Sequence, residues 1–336
     1  MSVQPLKNMS YRGGVSVVIP VYRSEKVLPV LIARLERVLR QLASSFEVVL
    51  VNDCSPDLSW QVICELADRY SWIHPIDLMR NFGQHNALLC GIRTARFDTI
   101  VTMDDDLQHP PEEIPKLLAA LEETHSDVVY GTPIHEQHGL ARNLATSVTK
   151  LALRTVMDAK VVREVSAFRA FRSQVAEAFR NYDAPFVSID VLLTWGTSRF
   201  AAIRVPHEPR REGASGYTLR KLVSHTLNLL TGFTALPLRI ASVVGLLLSL
   251  TGFGVLCYVL GRYVLHGDLV PGFPFLASIV AIFSGAQLFA IGIIGEYLAR
   301  MHFRSMQMPA YVVRTDPGTD RVRDLGKATG EREIQR

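Results

Sequence analysis

The sequence predicts an α/β domain with a mostly parallel sheet covered by helices on both faces, followed by a two-helix transmembrane hairpin. Short β-branched segments alternate with amphipathic segments between residues 15 and 130, a pattern typical of βαβ units. Two long uncharged segments follow residue 236. Carboxylates stand directly after several predicted strands, where parallel sheets place their ligand sites.

The predicted elements alternate in order along the first 206 residues. Residues 15–20 are mostly β-branched and end at a proline, and residues 28–42 follow with apolar side chains at helical spacing. The other predicted strands are 46–51, 73–78, 99–103, 127–130 and 201–206. The other predicted helices are 59–70, 84–95 and 114–123. Residues 140–182 have a helical pattern that includes the segment 166–172.

Composition limits the classes of partner for this chain of 336 residues. The formal net charge of +4 is mild, and no basic stretch alternates with aromatic residues, so nucleic acid is not an expected partner. The four cysteines have no paired spacing, which favours a reducing compartment. The N-terminus is polar through Gly14, so the bulk of the chain is expected in the cytosol.

The two uncharged segments after residue 236 predict membrane-spanning helices. Residues 240–261 and about 275–295 each reach the roughly 20 residues that a span needs, and a short link makes them a hairpin. A buried helix of a soluble protein is the alternative for one such segment, but not for two in tandem. Basic residues flank the outer ends, which predicts that both termini are cytoplasmic. These residues are Arg220, Lys221 and Arg239 before the first span and Arg300 and Arg304 after the second, against Arg262 in the link.

These features divide the chain into a tail, a domain, a juxtamembrane helix, the hairpin and a C-terminal segment. The ranges are 1–14, 15–218, 219–236, 237–300 and 301–336, the last ending in a charged tail that we expect to be mobile. The amphipathic stretch 219–233 would lie on the membrane surface, and an ordinary packing helix stays open. Small residues recur in both spans, so a homo-oligomer formed through the hairpin is a further hypothesis.

Three adjacent carboxylates, Asp104, Asp105 and Asp106, follow one of the predicted strands. Adjacent carboxylates repel one another unless a cation or solvent offsets their charge. Oxygen ligands suit Mg²⁺ or Mn²⁺, and Asp104 and Asp106 would share one ion with Gln108 nearby. A solvated acidic turn is the alternative that these residues leave open. Residues 52–53 also follow a strand, so we expect both groups to meet at one edge of the sheet.

Several motifs occur in order at a fitting spacing. They are 19–22 with Glu25, 52–55, 80–84, 103–112, 166–169, 210–217 and 295–300. Together they resemble the family-two glycosyltransferases of GT-A fold, and within these the polyisoprenyl-phosphate glycosyltransferases. The resemblance covers roughly residues 15–312. It implies a Rossmann-like, mostly parallel sheet for the domain.

The resemblance also implies residue roles. The residues implied to bind the nucleotide sugar are Pro20, Tyr22, Glu25, Asp53, Arg80, Asp104 and Asp105. The residues implied to coordinate the Mg²⁺ or Mn²⁺ ion are Asp104, Asp106 and Gln108. The residues implied to bind the acceptor phosphate are Arg142, Thr146, Arg169, Arg210 and Ser215. The catalytic set is Asp104, Asp106, Arg142 and Arg169. By themselves, Arg80, Arg142 and Arg169 also fit a structural ion pair or a helix surface.

The activity implied is an inverting, metal-dependent transfer of a sugar from a nucleotide diphosphate sugar, with UDP favoured, to a polyprenyl (undecaprenyl) phosphate. It would take place at the cytosolic face of the bacterial inner membrane and serve cell-envelope glycan or lipid modification, with lipopolysaccharide as one such lipid. One alternative is a catalytically silent membrane scaffold that binds nucleotide sugar. Another is a processive polysaccharide synthase, which commonly has more spans and a Q-x-x-R-W pattern that this sequence lacks. No motif identifies the sugar.

The sequence departs from the family pattern at five positions. Asn52 and Cys54 stand where the family usually has aspartate and glycine. Arg23 and Ser24 replace the usual asparagine and glutamate, and Gly216 replaces a lysine. These changes affect which nucleotide is bound and how firmly the acceptor loop binds the acceptor more than they affect the class of activity.

Overall fold

A computed structural model describes residue 11 and residues 13–134, 164–208, 236–266 and 272–315. Seven strands in this part of the chain form one sheet. They are β1 Val15–Val21, β2 Phe46–Asn52, β3 Ile73–Asp77, β4 Thr99–Thr102, β5 Val128–Pro133, β6 Arg169–Arg172 and β7 Phe200–Val205. The helices are α1 Leu28–Leu42, α2 Ser59–Arg69, α3 Gln84–Thr94, α4 Ile114–Glu123, α5 Ser173–Ala176, α6 Ile189–Gly196, α7 Leu236–His266 and α8 Phe273–Ser305.

The sheet is mostly parallel, with strand order β3-β2-β1-β4-β6-β5-β7. Only β6 among these strands runs antiparallel to its neighbours, β4 and β5. The chain moves outward from β1 through β2 to β3 and then returns to place β4 on the other side of β1. This reversal is the topological switch point of the sheet, where open α/β folds bind ligands beyond the carboxyl ends of the strands.

Helices cover both faces because side chains alternate across each strand. Val17 and Ile19 of β1 point to a core that includes apolar residues of α1, α2 and α4. Val18 points to the opposite core, which α3 and α6 complete. Every residue of β1 is buried, as expected for a central parallel strand covered on both sides.

The predicted strands and helices are confirmed with shifts of one to three residues at their ends, except in the segment 140–182. The helical prediction is wrong for Arg169–Arg172, which forms β6. Phe168 and Ala170 pack in one core and Phe171 in the other, so this short stretch has the period of a strand. Helix α6 was not predicted. Residues 135–163 lie outside the described part of the chain.

Helices α7 and α8 are long and apolar. They have 31 and 33 residues, or about 46 and 50 Å at 1.5 Å per residue, against roughly 30 Å for a bilayer core. By length and composition, the windows Leu238–Val255 and Ile282–Ala299 are long and apolar enough to cross a membrane. Almost no side chain in either window is buried, so these helices are unlike the core helices of a soluble protein.

Candidate active site

The loops after β1 and β4 are joined at the switch point by Asp105. Its Oδ2 accepts hydrogen bonds from the backbone N–H of Tyr22 (3.1 Å) and from the Ser24 hydroxyl (2.5 Å). Burial of the carboxyl raises the pKa of Asp105 to about 6, and these two hydrogen bonds oppose the rise. Ser24, a departure from the family pattern, is thus the residue that fixes the middle carboxylate.

Asp53, which follows β2, holds the loop formed by residues 79–83. Its Oδ1 accepts from the backbone N–H of Phe82 (2.7 Å), and its Oδ2 accepts from that of Gly83 (2.8 Å). The side chain is almost fully buried, and desolvation raises the pKa of Asp53 despite both bonds. Gly83 has a φ of 97°, which a residue with a side chain rarely adopts. Asp53 therefore shapes this loop, in addition to any direct contact with a ligand.

Gln84 connects that loop to the acidic cluster. It begins α3 directly after Gly83, and its Nε2 donates to Oδ1 of Asp104 at 2.6 Å. The ends of β1, β2 and β4 are therefore joined by side-chain hydrogen bonds at one edge of the sheet, which we name the carboxyl edge. The groups that the sequence predicted to converge lie together here.

The two outer carboxylates, Asp104 and Asp106, have hydrogen-bond partners that differ from those of Asp105. Oδ1 of Asp106 accepts from the backbone N–H of Gln108 at 3.0 Å, across Leu107, whose φ is 61°. No group of three or more His, Cys, Asp or Glu side chains in the described ranges is arranged to hold a metal. Mg²⁺ is usually held by one or two carboxylates together with substrate phosphates. Two partly exposed carboxylates fit that kind of site.

The other predicted nucleotide-binding residues lie at or beside this edge. Tyr22 is 43% exposed, and the Arg23 guanidinium lies 5.3 Å from its ring centroid. The Arg80 guanidinium lies 4.5 Å from the ring centroid of Phe82 in the loop that Asp53 holds. Pro20 is buried within β1. Oε2 of Glu25 accepts from the backbone N–H of Leu58 (2.9 Å) just before α2, which supports the adjacent turn.

His109 is a feature of the site that the sequence did not reveal. It is buried, and neither ring nitrogen has a hydrogen-bond partner among the described residues. Its ring stacks on Phe168 (5.3 Å between centroids) and meets the edge of His207 (5.1 Å). Burial, with a smaller contribution from His207, lowers the pKa of His109 to about 4, so the ring is neutral at neutral pH. An isolated histidine gives no sequence signal for such a stack.

Comparison with known proteins identifies the family. The family described as "Glycosyl transferase family 2" matches residues 16–179. A curated protein of Yersinia enterocolitica, undecaprenyl-phosphate 4-deoxy-4-formamido-L-arabinose transferase, is 34% identical over 92% of this chain and 95% of its own length. The protein of the same name from Photorhabdus laumondii is 32% identical over 92% of this chain and 96% of its own.

The chain belongs to glycosyl transferase family 2. It is a glycosyltransferase, and the predicted α/β fold of GT-A type with two apolar C-terminal helices is confirmed. Two similar solved structures are glucosyl-3-phosphoglycerate synthase from Mycobacterium tuberculosis with Mn²⁺ and UDP, and S. aureus TarS with UDP-GlcNAc. The first has 16% identity and a TM-score of 0.49 over 65% of this chain and 78% of its own. The second has 18% identity and a TM-score of 0.45 over 65% and 71%.

Arg169 occupies a different place in this glycosyltransferase from the one expected. Its side chain is buried beneath the carboxyl edge, where it pairs with Asp190 and donates from Nε to the Thr102 hydroxyl at 3.0 Å. The Tyr130 hydroxyl also donates to Asp190, at 3.3 Å. A guanidinium committed to interior partners does not offer its charge to an acceptor phosphate at the surface. We therefore propose that Arg169 supports the end of β4, and its predicted contact with the acceptor phosphate stays a prediction.

The remaining predicted acceptor residues of this family member lie outside the described part of the chain. They are Arg142, Thr146, Arg210 and Ser215, together with the departure at Gly216 and the juxtamembrane segment 219–235. The described chain does approach this region, since the backbone N–H of Glu208 donates to the carbonyl of Gln108 at 2.9 Å. Glu208, two residues before the predicted acceptor loop, is thus bonded to the backbone of Gln108 next to the acidic cluster.

Cys54 has a φ of 51°, the left-handed conformation that favours glycine, which is the usual family residue there. We expect Cys54→Gly to raise the free energy of unfolding by about 1 kcal/mol, because glycine adopts this conformation without strain. Cys64→Gly within α2 is the matched control and should lower stability by about 1 kcal/mol. Denaturant unfolding of both variants checks this, and a loss of stability in Cys54→Gly would contradict it.

Proposed function

We propose that this glycosyltransferase transfers a sugar from a nucleotide diphosphate sugar to a polyprenyl phosphate at the cytosolic face of the bacterial inner membrane. The observation that carries the proposal is the carboxyl edge, where Asp104 and Asp106 follow β4 beside the loop that Asp53 holds. Carboxylates at a switch point suit a diphosphate bound through a divalent cation. The names of the relatives from Yersinia and Photorhabdus support undecaprenyl phosphate as the acceptor.

Asp104 and Asp106, with Gln108 beside them, are the described residues that would hold Mg²⁺ or Mn²⁺ against the donor diphosphate. When bound, such an ion offsets the negative charge that develops on the leaving diphosphate. Asp105 suits the ion less well than its neighbours do, since its Oδ2 already accepts hydrogen bonds from Tyr22 and Ser24. Its role is to fix the spacing of the loops on either side of the donor.

The chemistry requires positioning more than a strong base. A phosphate monoester is already substantially ionised at neutral pH, so the acceptor oxygen needs little activation. In the proposed step this oxygen forms a bond to the anomeric carbon while the bond from that carbon to the diphosphate oxygen breaks. The nucleoside diphosphate leaves with the bonding electron pair. In-line attack inverts the anomeric configuration, and orientation of the two reactants supplies much of the rate.

Helices α7 and α8 would form the membrane anchor. Exposed apolar side chains along both helices favour lipid over water as their surroundings. The two helices contact each other closely where Gly252 faces Phe283, since a Cβ at that position would lie 2.8 Å from the ring Cζ. A hairpin of this kind holds the domain at the membrane surface, where the phosphate of a lipid acceptor is accessible. We propose that both of its ends lie in the cytoplasm, as the flanking basic residues indicate.

The proposal is tested with the purified full chain in nanodiscs, given Mn²⁺ or Mg²⁺ and radiolabelled undecaprenyl phosphate. The donor panel includes UDP-, GDP- and dTDP-linked hexoses and UDP-4-deoxy-4-formamido-L-arabinose. We expect one donor to give a labelled lipid with inverted anomeric configuration and a nucleoside diphosphate as co-product. Failure with every donor, while nucleotide binding persists, would favour a catalytically silent scaffold. Growth of a polymer would favour a processive synthase.

A further inference from the structure

The segment that follows α8 returns to the α/β domain. Ala310–Arg314, which we name the strap, lies beside the end of β3, the strand at one end of the sheet order. Leu78 and Val313 form an antiparallel bridge. The backbone N–H of Met79 donates to the Val312 carbonyl at 2.9 Å, and that of Arg314 donates to the Asp77 carbonyl at 2.7 Å. The strap is therefore bonded through its backbone to residues 77–79, at the point where β3 ends.

Side chains attach the strap to the domain as well. Nδ2 of the buried Asn86, in α3, donates to the Ala310 carbonyl at 2.5 Å. The Arg93 guanidinium lies over the Tyr311 ring at 5.6 Å. Nε of Arg314 donates to Oδ2 of Asp77 at 2.7 Å. Charge-assisted bonds of this kind are stronger than neutral ones, and the Asp77 side chain is only 9% exposed.

Asp77 connects Arg314 to the turn after β2 through a second hydrogen bond. Its second oxygen, Oδ1, accepts from Nδ2 of Asn52 at 2.7 Å in a buried bond. Oδ1 of Asn52 in turn accepts from the backbone N–H of Ser55 at 3.3 Å. A continuous series of hydrogen bonds thus runs from Arg314 to the turn that carries Asp53 and the strained Cys54.

The loop of residues 79–83 is held at both ends by the same system. Met79 is bonded to the strap, while Phe82 and Gly83 are bonded to Asp53. This loop and this turn carry two of the residues predicted to bind the donor nucleotide, Asp53 and Arg80. The chain after the second apolar helix therefore holds the donor side of the carboxyl edge from outside.

The series also gives a physical reason for the departure at residue 52. An aspartate there would place a second carboxylate against Asp77, with Arg314 as their shared cation. The amide of Asn52 instead donates to Asp77 and accepts from Ser55, so both of its ends are used. The arginine on the strap and the amide at position 52 form a matched pair around one buried carboxylate.

We propose that Arg314 is a positioning residue for donor binding, acting through Asp77 and Asn52 on the turn at residues 52–55 and the loop at 79–83. The part of this proposal that concerns nucleotide binding rests on the proposed function. Arg314 itself is not expected to touch the sugar or the reacting phosphate. Its loss should therefore weaken nucleotide affinity and raise the KM for the donor while changing kcat little.

The test uses the full chain in nanodiscs with Mn²⁺ and the probes UDP, GDP and dTDP, each measured by calorimetry. Arg314→Ala is expected to weaken binding of the tightest probe about tenfold, the size of one lost charge-assisted hydrogen bond. Arg314→Lys should restore part of the affinity. Arg199→Ala is the matched control, since it removes the Arg199–Asp127 pair next to β7, at the opposite end of the sheet. It should bind as the wild type does.

Hydrogen exchange tests the positioning step without any nucleotide. Amides in peptides spanning 52–55 and 79–83 should exchange faster in Arg314→Ala than in Arg199→Ala, with the central strands unchanged in both. Unchanged exchange and unchanged affinity in Arg314→Ala would overturn the proposal, as would an equal effect in the control. If the wild type binds none of the probes, the proposed function fails, whereas the exchange result still decides the role of Arg314.

Discussion

Replacement of Asp106 by asparagine is expected to lower the rate of sugar transfer about a thousandfold or more. The substitution keeps the shape of the side chain but removes one of the two carboxylates that would hold the divalent cation against the donor diphosphate. Charge stabilisation by a bound metal ion is worth several kcal/mol in a transition state, and each 1.4 kcal/mol is about a factor of ten. The measurement is initial transfer to undecaprenyl phosphate with the donor that the panel identifies.

Two comparisons make this result specific. Asp68→Asn, on the exposed face of α2, removes a carboxylate far from the carboxyl edge and should leave transfer unchanged. Mn²⁺ affinity, measured by electron paramagnetic resonance in the presence of UDP, should fall in Asp106→Asn and stay constant in the control. A variant at Asp106 that keeps more than a tenth of wild-type transfer would remove this residue from the metal site.

The largest loss of stability is expected from Asp190→Asn. Asp190 neutralises Arg169 in the interior and accepts from Tyr130, so the variant leaves a buried guanidinium without its counter-charge. Removing one partner of a buried ion pair typically costs about 3–5 kcal/mol in the free energy of unfolding. Denaturant or thermal unfolding of the detergent-solubilised protein measures the change.

A double variant separates the unpaired charge from a simple loss of packing. Arg169→Met combined with Asp190→Leu removes both charges, and such replacements are often neutral or stabilising. We expect it to recover most of the stability lost in Asp190→Asn. It would still remove the bond to Thr102 directly below Asp104, so transfer should remain reduced. A double variant less stable than Asp190→Asn would show that the ion pair itself stabilises the fold.

The fold could be predicted from the sequence wherever local pattern and burial agree. The helix at 28–42 matches because its apolar residues recur at helical spacing, and the strands at 15–20 and 46–51 match because each is a short, β-branched apolar run with a clear end. Strand β6 was missed because four residues between helical segments carry too short a pattern to override them. Its strand structure depends on pairing with β4, about 70 residues earlier in the chain, and with β5.

The site could be predicted to the extent that it follows strand ends. Asp53 and Asp104–Asp106 follow β2 and β4, so topology alone brings them together. The partners of these groups could not be predicted. Three arrangements depend on contacts between distant segments. Asp53 binds two backbone N–H groups, Asp105 binds Ser24, and Arg169 faces inward. Residue type indicates a charge, but only the fold decides which groups surround it.

The position of the strap in the chain has a consequence for biosynthesis. Arg314 pairs with Asp77 across 237 residues, and both apolar helices lie between them. During translation the α/β domain emerges first, and residues 77–79 lack their contacts with the strap until both apolar helices have been synthesised. Residues 310–314 can make these contacts only after they have left the ribosome. The order of synthesis thus places the contacts of the strap after both apolar helices have been made, so we expect the proposed donor side to reach its full nucleotide affinity only once these helices are complete.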